Sequence, residues 1–474
     1  MISIPAIDIP YPTRRDARYV AFIVFAATLF SFLDRQILAI LVDPIRQDLH
    51  VSDTQMSLLY GFAFVILYST IGLPIGRLID RHQRRLILAA GVAVWSVMTI
   101  ACGFAHGYGT LFGARIGVGI GEACLTPAAC SLLADCFEPR VRGRAMSFYL
   151  LGVYGGIGLS LVAGGMLYDL LLHSPGLPII GQIAPWRAIF IIIGCPGLLI
   201  AALVLTMKEP ARQDQAPAAT PLAQEVGGIA MIAYLRANAA PVGAALIAQG
   251  VVAFVSYSLM GWAPSVLIRQ FHESRSSVGL TLGLLSLAGG AGGALAGAVF
   301  CDRWTAAGIR AAKFRVCAVG TFFCAVGLVL LSLAQVSWAA FAAVALCLTA
   351  LPFAAASGQT IVQELFPNRL RGQGSAMTVL LIGLFGAGCG PLTVGLISDH
   401  LFHGQGLSRA MVWTGMPATV IVIVLYLCSR NGYEELRRRL LAGARLPAFD
   451  GSPIPESRAA RAPSAPPARV GTGS

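Results

Sequence analysis

Four charged residues stand where charge is expensive. Asp34 and Arg35 sit side by side in an apolar run over 19–43, and Arg115 and Glu122 sit in another over 108–135. Each run is long enough to cross a bilayer, since roughly 20 residues at 1.5 Å each cover the hydrocarbon core. A charge near the centre of such a helix costs about 2.5–3.5 kcal/mol on insertion scales. A chain that carries two in one segment is expected to use them: the carboxylates to take up a proton, the guanidinium groups to hold the carboxylates or an anionic ligand. Arg115 and Glu122 are about 10 Å apart along one helix and nearly on one face, with Thr126 close to it. Counting rise places Asp34 at a depth between them, so Asp34, Arg115 and Glu122 are expected to cluster around a central cavity.

Burial raises a carboxylate's pKa and a nearby arginine lowers it again. Separating Glu122 from Arg115 would then change its proton affinity, which makes Glu122 the expected main switch and Asp34 its partner. The competing reading is a static salt-bridge network that carries no traffic. Arg35 either joins the cluster or snorkels or caps a neighbouring helix.

Composition places these residues in a membrane protein. Of 474 residues, 56% are hydrophobic and 12% charged, against about 25% charged in soluble domains. The net charge of +12 is therefore explained by arginines at helix ends and is not a nucleic-acid signal. The 11 cysteines fall in or beside apolar runs, where they behave as small hydrophobes. Cys124, Cys130 and Cys136 do not match zinc spacing, and His400 with His403 reads as a solvated loop pair; no metal, disulfide or cofactor is expected. The first apolar segment is too long for a signal peptide and is expected to remain as a helix.

Hydropathy predicts an all-α membrane protein with twelve spans. They cover 19–43, 54–79, 86–105, 108–135, 144–171 and 187–207, then 239–269, 277–301, 314–334, 337–364, 373–399 and 408–429. Basic residues follow the even spans: Arg81, Arg84 and Arg85; Arg140, Arg142 and Arg144; Arg303, Arg310, Lys313 and Arg315; Arg369 and Arg371; Arg437, Arg438 and Arg439. The loops after odd spans carry fewer, mixed with Asp43, Asp48, Asp53 and Glu273. The positive-inside rule then puts both termini in the cytoplasm.

The expected organisation is a cytoplasmic tail over 1–18, a six-helix bundle over 19–207, a linker over 208–238, a second bundle over 239–429 and a partly disordered tail over 430–474. Residues 434–441 read as a short amphipathic helix on the membrane surface. The halves repeat. Phe137, Pro139, Arg140, Arg142 and Gly143 correspond to Phe366, Pro367, Arg369, Arg371 and Gly372. Gly156, Gly165 and Asp169 correspond to Gly386, Gly395 and Asp399, and Asp80–Arg81 to Asp302–Arg303. Pseudo-symmetric six-helix halves are a transporter architecture.

With these residues in view, the chain resembles the major facilitator superfamily. The segment Gly76-Arg77-Leu78-Ile79-Asp80-Arg81-His82-Gln83-Arg84-Arg85 is similar to its signature between helices 2 and 3. Arg115 with Gly119 resembles its helix-4 motif, and the glycines from Gly152 to Gly165 its helix-5 motif, without the usual proline; Gly390-Pro391 appears in the matching span 11. A narrower resemblance, to the Spinster-like branch, rests on three segments. These are Phe32-Leu33-Asp34-Arg35-Gln36; Ser52-Asp53 with Gln55 and Gly61 to Phe64; and Arg115 through Gly121-Glu122-Ala123 with Pro127. That resemblance implies lipid-related cargo and a role for the intramembrane acidic and basic residues in proton-linked switching. It also implies that Gly76, Asp80, Arg81, Arg84 and Arg85 form a cytoplasmic latch for the outward-facing state, with Asp302 and Arg303 a weaker second copy.

The second half has no intramembrane charge like Asp34 or Glu122. It offers Gln249, Tyr257, Ser258, Trp262, Ser357, Gln359 and Thr360, read either as cavity lining or as hydrogen bonders between helices. A charged half facing an apolar one suits an amphiphile. The expectation is therefore a monomeric, proton-coupled transporter of the bacterial inner membrane that works by alternating access and moves a substrate such as a lysophospholipid. The alternative is the same fold moving a small organic anion or sugar acid, or exporting drugs. No nucleophile elbow, metal cluster or phosphate loop points to an enzyme. A transporter-like sensor would carry a further signalling domain.

Overall fold

The computed structural model describes residues 10–173, 183–213, 231–367 and 370–441. The first nine residues, the middle of the linker, Arg369 and the tail after 441 lie outside the described residues, as does the side chain of Asp80. The first half comprises α1 (Arg14–Leu49), α2 (Asp53–Ser57), α3 (Ala63–Arg81), α4 (Arg84–Gly103), α5 (Tyr108–Glu122), α6 (Leu125–Cys136), α7 (Pro139–Leu172) and α8 (Pro185–Thr206). The second comprises α9 (Ala239–Phe271), α10 (Arg275–Ala306), α11 (Ala312–Leu333), α12 (Ser337–Leu365), α13 (Arg371–Leu381), α14 (Gly390–Phe402) and α15 (Leu407–Leu441). Eleven stretches among the described residues are long and apolar enough to cross a membrane. The remaining pass is composite: α2 and α3 are joined by a π-helical turn, Leu58–Phe62. Its symmetry mate is built the same way, with α13 and α14 joined by the π-helical stretch Ile382–Cys389. The described residues therefore make twelve passes in two bundles.

Local chemistry sets the helix ends. Thr13 caps α1, accepting from the Asp16 amide, and Ser52 with Gln55 forms a capping box that starts α2. Prolines begin α7 and α8, where a missing amide hydrogen costs nothing. Exposed leucines such as Leu170, Leu199, Leu295 and Leu333, each 68–69% accessible, form a surface suited to lipid rather than water.

Three boundaries differ from the hydropathy reading. Helix α1 runs well past both ends of 19–43, because its flanking turns are polar yet helical. Residues 434–441 do not form a separate surface helix; α15 continues through them, with Tyr433 and Leu436 buried. Residues 208–213 belong structurally to the first bundle. Glu209 accepts from the Arg84 amide at 3.1 Å and the Arg85 amide at 2.9 Å, and Arg212 donates to the Ile79 carbonyl at 2.6 Å.

The halves meet mainly at the end of the molecule remote from this linker, called here the far end. Every hydrogen bond and ion pair described between the halves lies there or at mid-depth. Glycines permit the approach. A Cβ on Gly61 would run into the Ala387 carbonyl oxygen, where the two π-helical stretches cross. A Cβ on Gly165 would meet the Arg275 carbonyl, and one on Gly279 the Leu161 carbonyl, so α7 and α10 pack backbone to backbone.

Candidate functional site

The four intramembrane charges form one cluster, paired crosswise. Arg115 reaches Asp34, with Nη1 3.2 Å from Oδ1, and both are buried. The Thr99 hydroxyl donates to the other Asp34 oxygen. Arg35 reaches Glu122, with Nη2 2.6 Å from Oε2. The expected partnership of Glu122 with Arg115 is thus replaced by one with Arg35. Residues seven apart lie about 10 Å apart along the helix, whereas α1 passes beside both and supplies each a partner. Arg35 joins the cluster rather than snorkelling away, and its guanidinium also lies 4.9 Å from the centre of the Phe32 ring.

Close helix approach brings Thr99 into range. A Cβ on Gly121 would meet the Trp95 amide and the Gly91 carbonyl, so α4 and α5 touch there through backbone. Glu122 is the last residue of α5, just before the break at Ala123–Cys124. The negative end of the helix dipole disfavours an anion at that position, which raises the importance of Arg35. Glu122 Oε1 and Arg115 Nε and Nη2 meet no hydrogen-bond partner among the described residues. Of the four side chains, Arg35 alone is noticeably exposed, at 16%, against 0–3% for the others.

Beside Arg35, Gln36 leads into a cavity. Its Oε1 accepts from the Tyr60 hydroxyl, and its Nε2 lies 3.9 Å from Met260 Sδ in the other half. Two small adjoining cavities, of about 20 and 100 Å³, share Ile157, Leu259, Met260, Ser286 and Leu348 in their walls. Most of the lining comes from α9, α10 and α12 and is apolar; Gln36, Ser256 and Ser286 are among its few polar side chains.

Neither cavity is lined by Thr126, Gln249, Tyr257, Trp262 or Gln359. Trp262 is buried and donates to the Pro391 carbonyl at 3.1 Å. Gln249 is buried against Gly358, Tyr257 packs beside Gly386, and Thr126 and Gln359 are exposed. Met260, beside the polar positions of span 7, and Ser286, a hydroxyl within span 8, could have been found had the rotation of those helices been known.

The expected cytoplasmic latch is a contact within one half in this conformation. Buried Arg84 donates to Asp135 on α6 and, at 2.8 Å, to Glu209 after α8. Arg85 donates to the Met207 carbonyl, while Arg81, Asp302 and Arg303 are exposed; Gly76 has open space around its Cα.

Sequence reasoning missed the far-end lock. Arg269, at the end of α9, lies 2.9 Å from both carboxylate oxygens of buried Asp53 and 2.5 Å from Asp43. Ser398 on α14 adds a hydrogen bond to Asp53 at 2.9 Å. An arginine at the end where basic residues are scarce was the available signal.

The comparisons with known proteins agree with this architecture. An MFS-type efflux pump of Mycolicibacterium smegmatis is 28% identical over 457 residues, covering 93% of this chain and 99% of that protein. Protein spinster homolog 1 of Xenopus tropicalis is 25% identical over 413 residues, covering 82% and 74%. The crystal structure of a bacterial homolog to the human lysosomal transporter Spinster, inward-facing and unoccupied, superposes with a TM-score of 0.76 at 25% identity, covering 92% of this chain and all of that one. The family model of the Major Facilitator Superfamily matches residues 24–391, and the chain belongs to that superfamily of membrane transporters, resembling its Spinster-like branch.

Proposed function

We propose that the protein is a proton-coupled secondary transporter that moves an amphiphile, such as a lysophospholipid, by alternating access. The observation that carries this reading is the division of the centre. A buried acid held by a partly exposed cation, Glu122 and Arg35, lies on one side. An apolar cavity walled largely by the second half lies beside it, joined through Gln36. A polar headgroup would engage Arg35, and its chain would lie against Leu259, Met260 and Leu348. Protonation of Glu122 would release Arg35, and an anionic headgroup would compete for the same guanidinium, so ligand and proton act on one ion pair.

The arginine-rich linker end supports a cytoplasmic location for both termini in a bacterial inner membrane. On that orientation the far end faces outward and is shut, so the conformation is inward-facing. Asp43, Asp53 and Arg269 then form the outer gate, and Arg84 with Asp135 and Glu209 the resting arrangement of the cytoplasmic motif. Export of drugs, or transport of a small organic anion or sugar acid, is the rival reading, favoured by the exposure of Arg35 alone.

The test is uptake of a labelled lysophospholipid into proteoliposomes with and without an imposed pH gradient, for wild type and Glu122→Gln. Gradient-driven uptake that the variant loses supports both the substrate and the proton switch. Uptake that is equal in the variant removes Glu122 from coupling. No lysophospholipid uptake, with uptake of an organic anion or drug in the same vesicles, establishes the rival.

A further inference from the structure

At the linker end of the first bundle lies a second groove. This groove of about 700 Å³ runs between the starts of α1 and α7 and shares no lining residue with the central cavities. Arg14 and Arg18 line it from α1 and Arg144 from α7, with Glu138 the one acid in its wall. The three arginines are exposed, and none makes an ion pair or hydrogen bond among the described residues. Two other arginines of this end are engaged: Arg84 is paired, and Arg142 donates to the Ala134 carbonyl at 2.9 Å.

The two helices present the same pattern in the same register. Arg18 is followed four residues later by Phe22, and Arg144 four residues later by Phe148. Residues four apart share a helix face, one turn or about 6 Å deeper. Both helices start at this end and run in the same direction, so a layer of guanidinium groups sits above a layer of aromatic rings. Phe22 is 55% and Phe148 36% exposed, and Phe148 stacks on Phe25 with ring centres 4.6 Å apart. Small residues, Ala17, Ala21 and Ala145, leave the space between.

We propose that this groove binds one anionic diacyl phospholipid of the surrounding leaflet, its phosphate on Arg18 and Arg144 and its acyl chains along Phe22 and Phe148. The charge is complementary, and basic pockets between transmembrane helices suit anionic headgroups. The paired depth of charge and aromatic layers selects a molecule with a headgroup and tails over a free anion. Occupancy would tie the starts of α1 and α7 together, helices that belong to the same moving half.

The test reads binding, not transport, so it stands apart from the proposed cargo. Native mass spectrometry of the full chain, titrated with phosphatidylglycerol or phosphatidylcholine, counts retained lipids. The expectation is one phosphatidylglycerol held in preference to phosphatidylcholine, with about thirtyfold weaker retention in Arg18→Gln/Arg144→Gln, at roughly the contribution of two surface arginines. The control Arg310→Gln/Arg315→Gln removes two exposed arginines of the same end outside the groove and should retain the lipid as wild type does. Equal retention in wild type and the groove variant overturns the site. Equal loss in both variants also overturns it, because diffuse surface charge would then suffice. All four arginines are exposed, and an unchanged melting temperature shows that each variant is folded.

Discussion

Asp399 and Asp169, equivalent residues of the two halves, each cap the first turn of a helix in the opposite half. Asp399 accepts from the Thr54 amide at 2.7 Å, the Thr54 hydroxyl at 2.6 Å and the Asp53 amide at 3.2 Å, at the start of α2. Asp169 accepts from the Ser276 amide at 3.1 Å, at the start of α10. A carboxylate at a helix N-terminus satisfies orphan amides and the helix dipole together. The far end is thus closed by a pseudo-symmetric pair of borrowed caps as well as by Arg269.

Asp399→Ala should open that end. A charge-assisted hydrogen bond contributes about 1.5–3 kcal/mol, so the population with the far end open should rise by about tenfold or more. Spin-label distances across the far end, or cysteine labelling of α2, would read this. Asp169→Ala should act in the same direction but more weakly, since it loses one described hydrogen bond instead of three. Unchanged distances in Asp399→Ala would show that the Asp399 cap does not hold the gate.

Gly61→Val should oppose the same state by sterics. The new side chain collides with the backbone of Ala387, which cannot rotate away as a side chain can. The variant should fold, show the far end open in distance measurements, and transport poorly. Gly292→Ala is the control: nothing lies near its Cβ position, and the added methyl favours helix by up to about 1 kcal/mol, so activity should be kept.

Arg115→Ala should destabilise the protein by about 3–5 kcal/mol, since it strands the buried Asp34 carboxylate. The double variant Asp34→Asn/Arg115→Met removes both charges and should recover much of that stability without recovering transport. Thermal unfolding in detergent, set beside vesicle uptake, separates these outcomes. A double variant as unstable as the single one would mean that the pair is needed for folding itself.

Arg84→Ala should likewise lower the melting temperature sharply, because Asp135 and Glu209 lose their shared cation. Arg81→Ala, at an exposed position, should change stability by no more than about 0.5 kcal/mol. Equal effects of the two would contradict the buried arrangement around Arg84.

The twelve passes and the charged cluster were legible because hydrocarbon imposes length and makes charge conspicuous. What escaped has physical causes. Hydropathy reports where a helix meets lipid, so it could not show that α1 continues through Asp16 at one end and Arg46 at the other. The π-helical stretches depend on how passes 2 and 11 cross, which no local pattern encodes. The pairing inside the cluster was half legible. Asp34 and Arg35, consecutive on a helix, point about 100° apart, so one can serve Arg115 and the other Glu122; the rotation of α1 that selects this is set by packing. Cavity lining failed for the same reason, as Gln249, Tyr257 and Trp262 of α9 turned toward neighbouring helices and Met260 toward the opening.

The lopsided centre has a consequence for engineering. The titratable groups sit on α1 and α5, while the cavity wall comes largely from α9, α10 and α12. On the proposed reading, the part of a ligand that meets the apolar wall is adjustable apart from the ion pairs, whereas a headgroup held by Arg35 is not. Repacking Leu259, Met260, Leu348 and Leu351 should then change which apolar groups the cavity accepts while leaving the Asp34–Arg115 and Arg35–Glu122 pairs in place.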